Sequence, residues 1–75
     1  MNEERNGKGK EYDYDDKLEF EGEYLNDQKN GKGKEYYNDG KLEFEGEYKN
    51  EKTWNGKGYD KNGKIIYQLI NRKLI

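Results

Sequence analysis

Three glutamates at alternate positions, Glu19, Glu21 and Glu23, recur as Glu43, Glu45 and Glu47. Paired carboxylates are the groups that general acid/base catalysis uses. In an extended strand, every second side chain lies on one face, about 7 Å from the next. Such work needs one carboxyl group whose pKa is raised by burial or by a like charge inside a cleft. A solvated strand face supplies neither, and lysines on neighbouring strands would pair with these glutamates. Nothing else completes a catalytic set. The chain has no His and no Cys, so the Ser-His-Asp and Cys-His arrangements and the paired histidines of zinc proteases are excluded. The expectation is a non-enzyme without cofactor or metal.

The other chemical candidates are weaker still. NGKGKEY, Asn6 to Tyr12, is rich in glycine and lysine, but a phosphate loop needs GxxxxGK[ST] between a strand and a helix. DYDD, Asp13 to Asp16, lacks the twelve-residue calcium pattern and its terminal glutamate, and reads as a polar turn. The net charge is -2 and Glu directly precedes Tyr12, Tyr24, Tyr36 and Tyr48, so no nucleic-acid partner is expected. Lys8, Lys10, Lys32 and Lys34 lie beside the GKG corners, with Lys57 in a third copy. A row of them could touch anionic headgroups, each worth about 1 kcal/mol near the surface, with the neighbouring glutamates offsetting much of it. No apolar run approaches a membrane span, and MNEERNGKGKEY has no apolar signal segment.

Whatever these residues do, something must hold them. The chain has 75 residues, room for one small domain. Only 28% are hydrophobic, Tyr alone counts 8, and Ala and Val are missing. A two-layer core cannot be filled from this set. Low hydrophobicity would suggest disorder, but the charges nearly balance, and an aromatic content of 15% suits half-buried strands. Without Cys the chain suits a reducing or an oxidising compartment. Localisation stays open, with the cytoplasm favoured.

The organisation is a repeat. At an offset of 24, residues 6–26 match their partners except at Asp13, Tyr14, Asp16 and Leu25, and such a period signals a repeat architecture. NGKG returns a third time at Asn55 to Gly58, with one residue inserted near Trp54. Within one module spanning 1–75, the chain divides into a partial unit 6–19, a unit 20–43, a degenerate unit 44–66 and a terminal strand 64–72. LEFEGEY alternates with period two: Leu18, Phe20, Gly22 and Tyr24 face one way and the glutamates the other. A second strand starts at Gly9 and again at Gly33, with Tyr12 and Tyr36 on an ambiguous parity. Asn38-Asp39-Gly40 and Asn62-Gly63 are hairpin turns. Asp15-Asp16 forms a weaker one, because Asp tolerates positive φ less well than Gly. YLNDQKNGKG and YKNEKTWNGKG are expected to be looser loops between hairpins. Gly22 and Gly46 inside strands imply either a kink or bulge, or an aromatic ring from a neighbouring strand lying flat over the missing side chain, with Phe20, Tyr24, Phe44 and Tyr48 as the candidate rings.

FEGEYLNDQKNGKG, Phe20 to Gly33, resembles the MORN (membrane occupation and recognition nexus) repeat. Phe20, Gly22, Tyr24, Gly31 and Gly33 fit its aromatic-x-Gly-x-aromatic…Gly-x-Gly frame, with Asp27 where a glycine is usual. Phe44, Gly46, Tyr48, Gly56 and Gly58 fit it again, with Glu51 at the usual glycine. The resemblance covers roughly Asn6 to Tyr67. It implies an all-β, single-layer, elongated and curved antiparallel sheet of tandem hairpins. It also implies longer arrays, so a chain beginning inside a unit reads as a piece of one. The implied role is a non-catalytic scaffold, protein-interaction or self-assembly module, with peripheral binding to anionic phospholipid as the alternative. An uncovered aromatic face would offer the platform, Trp54 would anchor a partner, and Ile66 and Ile70 would cap the array or meet a second copy. Phe20, Gly22, Tyr24, Phe44, Gly46 and Tyr48 would pack it, and Lys8, Lys10, Lys32 and Lys34 would make any lipid contact.

Overall fold

A computed structural model describes residues 5–75; the first four residues of the expected module lie outside the described residues. The described residues form seven strands: β1 (Gly7–Tyr12), β2 (Leu18–Leu25), β3 (Gln28–Tyr36), β4 (Leu42–Lys49), β5 (Lys52–Tyr59), β6 (Ile65–Ile70) and β7 (Lys73–Leu74). They lie in chain order in one sheet, and every neighbouring pair is antiparallel. Its extents are 42 × 31 × 14 Å. A second stacked sheet would add about 10 Å to the thin dimension, so the fold is a single layer of hairpins.

Register follows from glycine. Gly9 faces Gly22, Gly22 faces Gly33, Gly33 faces Gly46 and Gly46 faces Gly56, one glycine row crossing five strands. Leu69 ends the row on β6. Backbones approach closely along it. A Cβ on Gly22 would lie 2.6 Å from the Gly33 Cα and from the Lys32 carbonyl oxygen. On each side of the row run charges. Lys10, Glu21, Lys34, Glu45 and Lys57 face one another in sequence across five strands, and Lys8 faces Glu23 as Lys32 faces Glu47. Lysine-bearing strands therefore alternate with glutamate-bearing strands, and a one-residue slip would turn every ring to the wrong face.

Two kinds of turn alternate. The first is a three-residue loop whose last residue is left-handed: Asp16 (φ 61°), Gly40 (φ 88°) and Gly63 (φ 82°). Asp13 and Asp60 hold two of these loops, each accepting two backbone N–H bonds on its carboxylate, from Asp15 and Lys17 and from Asn62 and Lys64. DYDD is thus a turn whose first carboxylate is occupied by its own backbone. The second kind was expected to be a loose loop and is instead a two-residue turn. Both central residues are left-handed: Asn26 and Asp27 (φ 51° and 66°), Asn50 and Glu51 (51° and 77°), Asn71 and Arg72 (52° and 66°). Such primed turns match the twist of the flanking strands, and Asn tolerates the left-handed region better than most residues. Each also bonds to the strand before: the Asp27, Glu51 and Arg72 amides donate to the Arg5, Lys29 and Trp54 carbonyls. β3 consequently starts at Gln28 rather than Gly33, and the terminal strand stops at Ile70, where a turn leads into β7.

Trp54 has a local consequence. The pairing of β2 with β3 shifts between Gly22 and Tyr24, where β3 carries two more residues than β2; in β4–β5 the shift comes between Glu47 and Tyr48, and β5 carries one. The extra residue before the third NGKG is not looped out. The motif slides, and its first glycine, Gly56, takes the slot facing Gly46 that Gly33 takes facing Gly22. Gly22 and Gly46 both sit beside bulges; Gly22 also lies under the ring of Phe20, which comes from its own strand rather than a neighbouring one, whereas a Cβ on Gly46 would first meet backbone atoms of Asn55 and Gly56.

Two substitutions test this account by thermal or urea unfolding. Asp16→Gly relieves a left-handed aspartate and is expected to add about 0.5–1 kcal/mol. Gly46→Ala would push a methyl group into the Asn55 carbonyl and the Gly56 Cα, neither of which can swing away, so its loss should reach or exceed the ~3 kcal/mol upper end of ordinary overpacking.

Candidate interaction surfaces

The two faces of the sheet differ in kind. On one, Tyr24, Phe20, Tyr48, Phe44 and Tyr67 form a continuous line of rings. Phe20 meets Tyr24 and Tyr48 edge-on at 5.7 and 5.2 Å, Phe44 meets Tyr48 edge-on at 5.7 Å, and Phe44 stacks on Tyr67 at 6.3 Å. These geometries suit the ring quadrupoles. The rings lie over glycines. A Cβ on Gly33 would strike both Phe20 and Tyr48, and one on Gly58 would strike Tyr67. Cations close the outer side, with the Arg5 guanidinium 4.2 Å from the Tyr24 centroid and the Lys29 ammonium 4.3 Å from that of Phe20. Phe20 and Phe44 are each only 1% exposed. From Tyr24 to Phe44 the expected uncovered aromatic platform is therefore absent: these rings cover one another, and Arg5 and Lys29 cover Tyr24, Phe20 and Tyr48, while Tyr67 at the end of the line stays 37% exposed.

Their hydroxyls are anchored as well. Tyr24 donates to Glu11 on β1, and Tyr48 donates to Glu35 on β3 at 2.8 Å. Burial, reinforced by these carboxylate bonds, pushes both phenols well above the usual tyrosine range.

The opposite face curves into a groove of about 1100 Å³ floored by the glycine row. Lys8, Lys10, Lys32 and Lys34 line it, with the glutamates of β2 and β4 between them. Among the described residues the ion pairs within 4 Å are those of Arg5 with Glu11 and Asp27. The groove lysines therefore alternate with glutamates without locking onto them. Those glutamates have other partners. Glu21 accepts the Tyr36 hydroxyl at 3.1 Å and Glu45 the Tyr59 hydroxyl at 2.9 Å. Glu23 accepts the Lys32 amide at 2.7 Å, and Glu47 the Asn55 side-chain amide at 3.0 Å. This settles the parity of Tyr36, which lies on the groove face. The carboxylates organise neighbouring strands, and what the groove can do chemically is bind through charge and hydrogen bonds.

A third surface lies at the end of the sheet. Ile66 and Ile70 are 57% and 52% exposed, and Leu74 and Ile75 are each 73% exposed. Leu69 alone on β6 is buried. Trp54 is half-buried, its ring 4.9 Å from the Lys49 ammonium and its carbonyl holding the last turn. It is a structural part of the β5 bulge as well as a partly open aromatic surface. Sequence reasoning missed the hydroxyl partners Glu11 and Glu35, the caps Arg5 and Lys29, and the strand β7. The recurrence of Glu11 as Glu35 and of Arg5 as Lys29 at the repeat offset was the available signal.

The tyrosines give a pH prediction. A phenol whose folded pKa is raised stabilises the fold fully below the unfolded value, and that contribution is lost as pH rises beyond it. Stability is thus expected to fall above about pH 10, the ordinary tyrosine value. Absorbance at 295 nm should show part of the tyrosine set ionising only together with the loss of strand signal by circular dichroism. Ionisation of all eight tyrosines with the sheet still intact would contradict the burial described.

A family model described as the MORN repeat matches residues 20–41, and one described as a MORN repeat variant matches residues 5–26. No curated protein and no solved structure matches the chain.

Proposed function

We propose, for a chain that carries MORN repeats across residues 5–41, a non-catalytic structural role in which it self-associates through its β6–β7 end. The observation that carries this reading is the change of character at β6. The glutamate strands β2 and β4 keep charge on the groove face, whereas β6 has no charged residue and exposes Ile66 and Ile70 there. β7 pairs with β6 at Leu69 and Ile70, and Ile75 bonds to Gln68, so among the described residues the outer edge of β6 is without a partner strand at Ile65, Ile66 and Tyr67. An uncharged open edge is a template for pairing with another chain. Two copies can meet at the open part of this edge without opposing like charges, and their isoleucines would then leave water.

Sedimentation across a wide concentration range tests this. The wild-type chain is expected to shift from monomer towards dimer, and Ile66→Lys combined with Ile70→Lys to stay monomeric at unchanged strand content. Both side chains are more than half exposed, so the fold should tolerate the change. A wild-type chain that remains monomeric throughout defeats the self-association reading.

Membrane attachment is the competing role. Lys8, Lys10, Lys32 and Lys34 sit inside a concave groove with glutamates between them, which a flat bilayer meets poorly. Flotation with anionic vesicles at low salt is therefore expected to leave the protein at the bottom of the gradient. Salt-sensitive flotation that is lost when these four lysines become Glu would reverse that preference.

A further inference from the structure

The repeat allows the two edges of each lysine strand to be compared, and among the described residues β1 lacks on its outer side what β3 has. β3 lies between two glutamate strands, β2 and β4. Lys34 faces Glu21 on one side and Glu45 on the other; Lys10 faces Glu21 alone. Gly33 is buried beneath two rings, Phe20 from the preceding strand and Tyr48 from the following one. Gly9 is half-exposed, and the nearest atoms to a Cβ there all belong to the Tyr24 ring of the following strand. The Tyr36 hydroxyl donates to Glu21 on the strand before it, and the Tyr59 hydroxyl donates to Glu45 on the strand before it. Tyr12, the matching residue of β1, has no such strand among the described residues and is 56% exposed. Lys32 donates its amide to Glu23 of the preceding strand, and Lys8, its counterpart, has no preceding strand among the described residues. By antiparallel geometry, alternate residues of β1 also turn their N–H and C=O groups away from β2.

We propose that the outer edge of β1 is a docking site for an extended segment of another protein with the pattern aromatic-Glu-Gly-Glu-aromatic. It would add as an antiparallel strand, a recognised mode of peptide binding. The register repeats that of β2 on β3. The first partner glutamate faces Lys10 and accepts the Tyr12 hydroxyl. The partner glycine faces Gly9. The first partner ring faces Glu11 and covers Gly9, and the second glutamate accepts the Lys8 amide. A second copy of this chain does not suit the site. Its own Glu-Gly-Glu strands, β2 and β4, are already paired on both sides, and two β1 edges would set lysine against lysine. The site therefore disfavours β2 or β4 of a second copy and avoids self-pairing at this edge. It is separate from the β6 end, so either can fail without the other.

The test uses the full chain and a synthetic peptide, KLEFEGEYL, the sequence of residues 17–25. Titration at low salt, followed by backbone amide shifts, is expected to show saturable binding that perturbs Lys8, Gly9, Lys10 and Tyr12 and leaves β6 unmoved. The lysine peptide KLEFKGKYL should bind about tenfold more weakly, since the glutamate facing Lys10 becomes a like charge and the acceptor for the Lys8 amide is lost. It should regain affinity for the chain carrying Lys8→Glu and Lys10→Glu. If that variant does not fold, the peptide exchange on the wild-type chain decides alone. Tyr12→Phe should weaken binding while leaving the melting temperature unchanged, because the hydroxyl is solvent-exposed. No saturable binding, equal affinity for the two peptides, or perturbations centred on β6 would each overturn the proposal.

Discussion

A single sheet has no second layer to press against, and the fold depends on how it buries aromatic rings without one. Its solution is the row of glycines facing one another across the strands. Where side chains are missing, Phe20, Tyr24, Phe44, Tyr48 and Tyr67 lie against the backbone and against each other. Glycine within a strand weakens it by itself; here the loss is offset by closing rings that would otherwise face water. The same requirement explains the composition. Few apolar residues are needed when rings cover glycines and a lysine or arginine stem covers the ring.

The face behind the rings is then free to carry charge, and charge supplies what ring packing lacks, a rule for which strand goes beside which. Lysine strands accept glutamate strands on either side. The pairs are not tight ion pairs, so their individual strength is modest. Their value is discrimination, because any arrangement that sets like strands together opposes several charges at once. Tyr36 and Tyr59 add direction by reaching back to Glu21 and Glu45 on the preceding strand.

Much of this was legible in the amino-acid sequence, for identifiable reasons. Alternation in LEFEGEY fixes which residues share a face, and the self-match fixes the hairpin count. The tight turns at Asn26-Asp27 and Asn50-Glu51 were hidden because neither contains glycine; their left-handed pairs rest on the tolerance of Asn and on bonds to the preceding strand that no local pattern reveals. The closure of the ring face was hidden for a similar reason. Gly22 and Gly46 announce a gap, but that Phe20 also covers Gly33 depends on cross-strand register. The slide of the third NGKG was invisible because an inserted Trp54 can be absorbed by a loop or by a bulge, and only pairing distinguishes them.

Strand order identical to chain order also shapes how this molecule comes together and comes apart. Each strand pairs only with its chain neighbours, so backbone pairing closes short loops of chain, and ring contacts such as Phe20 with Tyr48 reach just one strand further. Low contact order of this kind lets hairpins form locally and add one after another, which favours fast folding. It likewise gives the sheet a gradient of opening free energy, with the two-residue β7 at its shallow end and the ring-packed centre at its deep end. The molecule behaves mechanically as a zip, loosened from its edges inward.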